Sequence, residues 1–414
     1  MSVVIIGNGV AGISAAITIR KQDKSIPIQV ISNETSHFYS RTALMYIAMG
    51  IMRLEDTEPY ERNFYKQNNI TLINDTVTKI NHSSQKIELM EQGSLSYDSL
   101  LLATGSVPAM FDWPGQDLHG VVNFITYQDL EKVMSQINSV KRAVVVGGGL
   151  IGIELVEVLR HRGIEVTFLI REDTFWPRAL SPEEGKIIEK EMAAHGVTVK
   201  MSTELKEIHG ENGSVVGIST NEDEIISAQL VGITTGVFPN ISLAKDSGIP
   251  TQRGILVNDF LQTEIKNIFA AGDCVERKNV NKDEPPIISI WYTSRDMGKI
   301  AGKNILGDEI SYSMGKWYNS AKFFDLEYTS VGHYLPVNNT EKNIYIESKY
   351  ANSIQTVRLV HQDNIITGFS ALGSRWDHEI IQRLIDDKKT IEYFKENYKQ
   401  AQFNPELFCN DLKI

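Results

Sequence analysis

Cysteine is scarce: Cys274 and Cys409 are the two in 414 residues, and their separation leaves neither a disulfide scaffold nor a Cys-x-x-Cys redox pair. A reducing compartment is expected. The nine histidines are scattered with no His-Glu-x-x-His or paired Cys/His spacing, so no metal site is predicted. Positive charge is in deficit, 41 Lys and Arg against 52 Asp and Glu for a net charge of −11, and such a field repels nucleic acid and anionic membranes. No apolar run reaches the ~18 to 20 residues of a spanning helix. The stretch from Val3 to Ile19 lacks a positive start and is broken by Gly7, Gly9 and Gly12, so it reads as a strand and a helix instead of a signal peptide, and the chain is expected in the cytosol. Its apolar content of 42% and charged content of 22% are those of a globular protein, and its length suits two or three domains of ~150 residues each.

What the sequence does have is two glycine-rich turns of one kind, Gly7-Asn8-Gly9-Val10-Ala11-Gly12 and Gly147-Gly148-Gly149-Leu150-Ile151-Gly152. An apolar strand runs into each, Val3 to Ile6 and Ala143 to Val146, and an apolar helix runs out. Glycine permits the tight turn and lets backbone approach a pyrophosphate, while free N–H groups at the helix start face its charge. Either turn alone is weak support for a nucleotide site, since it can be a plain strand-to-helix connection. Two in register strengthen each other. Glu34, after the strand Ile28 to Ile31, is the acid expected ~20 residues on, at an adenosine ribose.

Strand and helix alternate from residue 3 to about 50, the pattern of a parallel sheet. Short alternating runs, Thr76 to Ile80 and Lys86 to Leu89, then predict an antiparallel excursion before the strand Leu100 to Ala103, which ends in Thr104-Gly105. A Pro- and Gly-containing connector from Val107 to Gly120 leads into a second alternation: strand and cradle, helix 150–162, strand 165–170, helix 182–195 and short strands to about 234. After Thr235-Gly236 and Pro239-Asn240 the chain returns to the first domain, where Asn267 to Asp273 reads as a buried strand ending at a ligand. The expected architecture is α/β, with two Rossmann-like dinucleotide-binding domains, 1–113 with 241–312 and 114–240, and a C-terminal α+β domain, 316–414. In the last domain strands are predicted at 322–326, 328–333, 343–350, 354–361 and 365–372, followed by a helix with Trp376, Ile380, Ile381, Leu384 and Ile385 on one face.

Over residues 1 to 310 these motifs, in this order, resemble the pyridine nucleotide–disulfide oxidoreductase superfamily, the two-dinucleotide flavoprotein reductases. Within it the chain looks most like the flavin components of ferredoxin, rubredoxin and nitrite reductases, and Ser330-Val331-Gly332 with Ile366-Thr367-Gly368-Phe369 is similar to their interface domain. The resemblance implies FAD held by Gly7, Gly9, Gly12, Glu34 and Arg41 at its ADP half, Thr104 and Gly105 as a close-approach turn, and Asp273 at the ribityl chain. It implies NAD(P)H on Gly147, Gly149 and Gly152, with Gly236 in a later motif and Glu154 near the nicotinamide; an ordinary helix glutamate is the competing reading for Glu154. Trp291, with Tyr292 ahead of a helix from Thr293 to Leu306, matches a position against the flavin ring, where two core aromatics are the competing reading.

The departures matter as much. Disulfide reductases and peroxide-reducing relatives carry reactive cysteines where residues 38–50 here have none, and Tyr46 stands where ferredoxin-type relatives commonly place a lysine beside the flavin. Cys274, directly after Asp273, is expected to be structural, and Cys409 incidental. The implied chemistry is hydride transfer from nicotinamide to flavin, then electron delivery to an acceptor without a redox disulfide. Ile170 replaces the acid that usually binds a 2′-hydroxyl; Arg171 suits a 2′-phosphate, Glu172 would repel it, and the coenzyme choice stays open. Candidate acceptors are a small ferredoxin- or rubredoxin-type protein or a small molecule, with Arg375, His378, Lys388 and Lys389 as candidate docking cations against the competing reading of a solvated helix face. A homodimer is a candidate assembly. The alternatives are an NAD(P)H oxidase or quinone-type reductase, or a nucleotide-sensing flavoprotein resembling apoptosis-inducing factor.

Overall fold

The computed structural model describes residues 1–280, 285–350 and 353–403. The chain divides into two compact units, 1–109 with 125–135 and 236–313, and 110–124 with 136–235 and 314–414.

In the first unit a five-stranded parallel sheet runs in the order Ile268–Ala270, Ser99–Leu102, Val3–Ile6, Ile28–Ser32, Ile70–Asn74. Its central strands are apolar on both faces, as burial on both faces of a parallel sheet requires. The order reverses beside Val3–Ile6, the switch point at which such sheets bind ligands. The antiparallel excursion is present as Val77–Asn81, Lys86–Leu89 and Ser94–Ser96. The helix Val10–Gln22 packs on Trp291–Ile305 at very short range: a Cβ on Gly298 would stand 2.1 Å from the Ala11 carbonyl oxygen. Residues 125–135 lie inside the stretch expected to form the second domain, yet they pack in the first unit. The Tyr127 amide donates to Glu34 (2.9 Å) and Gln128 Nε2 to the Glu34 carbonyl (2.8 Å), contacts that no local pattern announces.

The second unit repeats the plan. Its parallel sheet runs Val197–Lys200, Glu165–Leu169, Arg142–Val146, Leu230–Ile233, Val121–Val122, and a three-stranded sheet covers one side, where Ile208, Val215 and Ile218 pack on Val144, Leu169 and Val231. The helix Pro182–Ala194 starts as its sequence dictates, with Ser181 as N-cap ahead of Pro182 and Glu184 closing a capping box back onto it.

The same unit contains a five-stranded antiparallel sheet in the order Tyr318–Phe323, Leu326–Gly332, Ile365–Leu372, Ser353–Gln362, Lys342–Tyr350. A strand over 322–326 is not what forms: Phe324, at φ 53°, and Asp325 make a hairpin turn between the first two strands. One sheet face, with Val331, Leu359 and Phe369, packs on Trp376, Ile381, Ile385 and Phe394. From the other, the Tyr328 hydroxyl donates to the Ala179 carbonyl (3.2 Å) and Trp176 sits edge-on to Phe323 and Tyr328.

Arg358 Nη2 lies 3.3 Å from Glu184 Oε2, with side chains 5% and 1% exposed, so this ion pair is enclosed. Arg358→Met is expected to cost about 3–5 kcal/mol in urea unfolding, because it strands a buried carboxylate, and E184Q/R358M to recover most of it. Equal losses in single and double variants would contradict this.

Candidate active site

A cleft of about 740 Å³ opens at the carboxyl ends of the first parallel sheet, lined by Gly7, Gly9, Glu34, Arg41, Thr104, Gly105 and Asp273 among others. The volume is that of a site for a sizeable ligand. Gly7 has φ +112°, and a Cβ there would stand 2.0 Å from the Ala103 carbonyl oxygen, so this position tolerates only glycine. Gly12 sits under the turn, against the Gly7 carbonyl. Gly9 is different: a Cβ would meet no atom within 4 Å, so the space above it is open to a phosphate group at the start of the helix Val10–Gln22.

Glu34 is more engaged than its motif suggests. Its carboxylate accepts from the Tyr39 hydroxyl (2.6 Å), the Tyr127 amide (2.9 Å) and Arg41 Nη2 (2.5 Å). Arg41 Nη1 also donates to the Ile125 carbonyl (2.5 Å). Asp273 is half-buried, and burial pushes its proton affinity up, against donations from the Ser294 hydroxyl (2.8 Å) and the Ser106 hydroxyl (3.2 Å) and the field of Arg41. Sequence reasoning passed over Tyr39, Ser106, Tyr127 and Ser294 as carboxylate partners; Tyr39 and Ser106 do stand within or beside the motifs.

Tyr46 and Trp291 do not line this cleft. Tyr46 is half-buried in the helix Leu44–Met49. Trp291 does not precede a helix but opens Trp291–Ile305, edge-on to Tyr292 at 5.3 Å with the Arg295 guanidinium 5.6 Å from its ring centroid. Gly236 belongs to the first unit, where it accepts from the Ala109 amide (2.9 Å) at the head of a ribbon pairing Val237–Pro239 with Ser106–Pro108.

The second cradle copies the first. Gly147 has φ +114° and faces the Thr234 carbonyl oxygen at 2.5 Å from its absent Cβ, Gly152 lies under the turn, and Gly149 is open. The backbone facing each cradle also corresponds, Ala103 against Gly7 in one and Thr234 against Gly147 in the other. One turn into the helix Leu150–His161, burial and, secondarily, the charge of Glu157 push the Glu154 carboxyl up to about 7. Ile170 is fully buried beneath Gly148 and offers no acceptor, while Arg171 is largely exposed with Glu172 at 2.9 Å. The cradles and their open second glycines fit two dinucleotide pyrophosphates.

Cys274 is fully buried, its thiol directed at the Leu102 and Ala271 carbonyls, and burial pushes its proton affinity up. Cys274→Ala is expected to keep flavin reduction within about twofold, read by stopped-flow absorbance; a loss beyond about tenfold would give the thiol a redox part. Cys409 lies outside the described residues. Of the candidate docking cations, Arg375 pairs with Glu327 (3.3 Å), Lys389 lies 3.8 Å from Asp387, His378 stacks on Tyr318, and Lys388 is exposed. Glu191, His195 and Asp325 cluster within 4.8 Å, a grouping that linear spacing hid, with His195 Nε2 3.4 Å from Asp325. No helix among the described residues is long and apolar enough to cross a membrane.

Two doubly wound sheets, each with a phosphate cradle at its switch point, and a thiol-free segment at 38–50 define a two-dinucleotide flavoprotein reductase. The comparisons agree. Residues 1–298 match the family model described as pyridine nucleotide-disulphide oxidoreductase. The chain is 31% identical to a protein named NADH oxidase from Methanocaldococcus jannaschii, over 99% of this chain and 94% of that one. It is 33% identical to a nitrite reductase [NAD(P)H] of Bacillus subtilis over 67% of its own length, and spans about a third (34%) of that relative. Among solved structures, a NAD-dependent persulfide reductase from A. fulgidus superposes with a TM-score of 0.84 at 25% identity, covering 96% of this chain and 79% of that one. The chain belongs to the pyridine nucleotide–disulphide oxidoreductase family and is an FAD-dependent NAD(P)H oxidoreductase.

Proposed function

We propose that the unit containing residues 1–109 holds FAD, with Gly7, Gly9 and Gly12 at the pyrophosphate, Glu34 and Arg41 toward the adenosine ribose, and Asp273 at the ribityl chain. The second cradle, Gly147, Gly149 and Gly152, takes the coenzyme, and Glu154 stands beside the nicotinamide. Bound FAD supplies the redox chemistry, accepting hydride and releasing electrons singly or in pairs. The chain's own part is to bind, orient and exclude water. Tyr39, Tyr127 and Arg41 fix the direction of the Glu34 carboxylate, and Ser106 and Ser294 do the same for Asp273. Arg171 is the group suited to a coenzyme 2′-phosphate and Glu172 the one suited to a 2′-hydroxyl.

The observation that carries the reading is the pair of open cradles combined with a thiol-free segment at 38–50, which leaves no dithiol to store reducing equivalents. Electrons therefore leave directly, in the cytosol, to a small iron–sulfur protein of ferredoxin or rubredoxin type or to a small oxidised acceptor. Anaerobic titration of the purified protein with NADH and with NADPH is expected to bleach the flavin, and subsequent addition of acceptors to restore it. Colourless protein that takes up no FAD would end the reading. The whole-length match to a protein named NADH oxidase favours a second reading, with oxygen as the acceptor. Rapid aerobic NAD(P)H consumption without added protein selects that one.

A further inference from the structure

Glu154 and Glu157 stand three positions apart on the helix Leu150–His161, so their side chains are neighbours on one face. Glu157 is 12% exposed, a setting that would ordinarily drive a carboxyl to take up a proton. Burial leaves the carboxyl above its ordinary range, and two donors oppose this in part. Lys322 Nζ lies 3.3 Å from Glu157 Oε1, and the Phe324 amide donates to Oε2 at 3.2 Å. Both come from the hairpin that joins Tyr318–Phe323 to Leu326–Gly332, more than 160 residues on in the chain (the separations are 165 and 167). Asp325, at the same turn, is the like charge acting on Glu157, and Lys322 outweighs it. Among the described residues, Glu157 is the charged group that acts on Glu154.

We propose that Glu157, anchored by Lys322 and the Phe324 amide, is a positioning residue for Glu154, through which the C-terminal sheet sets how firmly the carboxyl beside the nicotinamide holds a proton. The inference rests on the placement of Glu154 proposed above. A purely structural glutamate clamped to a hairpin would leave the titration of Glu154 unchanged. An anchored carboxylate one turn away raises that titration, and at such a separation in a partly desolvated setting the effect is about one pH unit.

The test uses full-length, FAD-loaded protein carrying glutamate labelled with carbon-13 at the side-chain carboxyl, and the Glu154 resonance is the one missing from Glu154→Gln. In the wild type it should titrate near 7. Glu157→Gln is expected to lower that midpoint by about one pH unit. Lys322→Met is expected to raise the midpoint of the Glu157 resonance, identified by its loss in Glu157→Gln or, if that variant does not fold, in Glu157→Ala. A midpoint that stays in place in either folded variant overturns the proposal. The pH profile of flavin reduction by NAD(P)H is recorded alongside. If the Glu154 resonance moves and the profile does not, the coupling stands and the nicotinamide-side placement of Glu154 fails.

Discussion

Gly9→Val is expected to leave the apoprotein folded and to strip it of flavin. Gly9 has φ −70° and ψ −175°, extended backbone that any residue adopts, and its Cβ would enter empty space. In the proposed holoprotein that space is the pyrophosphate's, so a branched side chain should raise the FAD dissociation constant about 100-fold or more, roughly 2.7 kcal/mol, while the melting temperature of the apoprotein hardly moves. Gly7→Val is the contrast. Its Cβ would lie 2.0 Å from the Ala103 carbonyl oxygen at φ +112°, a clash between fixed backbones, so that variant should fail to fold. Gly149→Val carries the argument to the second cradle: flavin is kept, and the KM for NAD(P)H rises about 100-fold. Flavin-to-protein ratios and calorimetric melts on the three variants decide the matter, and a Gly9→Val protein with stoichiometric FAD would refute the cradle assignment.

Glu154→Gln should be more stable than the wild type above neutrality and slower in reducing flavin. Burial first, and the Glu157 charge second, raise the Glu154 carboxyl from the ordinary 4.5 to about 7. Between those values the unfolded chain has released the proton and the folded chain retains it, so the contribution of this group to stability falls as pH rises and levels off above about 7. The full linkage is about 3 kcal/mol, and since the residue is only partly enclosed, about 1–2 kcal/mol is expected at pH ~8. Glutamine is close in shape and carries no charge, so urea unfolding should separate the two proteins at pH ~8 and bring them close together at pH ~4.5. An equal gap at both pH values would mean that the carboxyl titrates normally. Flavin reduction at saturating coenzyme should fall about tenfold or more with FAD retained, a site that trades stability for function. Unchanged reduction kinetics would remove Glu154 from the site.

Much of this was legible before any coordinates because the devices are local. Each cradle occupies six consecutive residues between an apolar strand and an apolar helix, and steric rules force glycine at Gly7 and Gly147. The capping box at Ser181 and Glu184 is equally local. The hairpin at Phe324 and Asp325 escaped because Phe324 is no turn former: an apolar aromatic in the left-handed region reads as strand and masks the aspartate beside it. The helix start at Trp291 was likewise displaced by two residues, since no side-chain cap marks it.

The polar fastenings of the site belong to another level. The Tyr127 amide reaches Glu34 across 93 residues and the Ser106 hydroxyl reaches Asp273 across 167, and polar contacts at such separations leave no periodicity to read. The amino-acid order alone determined that two dinucleotides are held and that residues 38–50 carry no thiol. Only the tertiary structure decided how firmly Glu154 holds a proton, because that depends on the water removed around it and on a neighbouring glutamate that a lysine from a distant hairpin contacts. Desolvation and through-space charge are properties of packing, and no stretch of chain encodes them by itself.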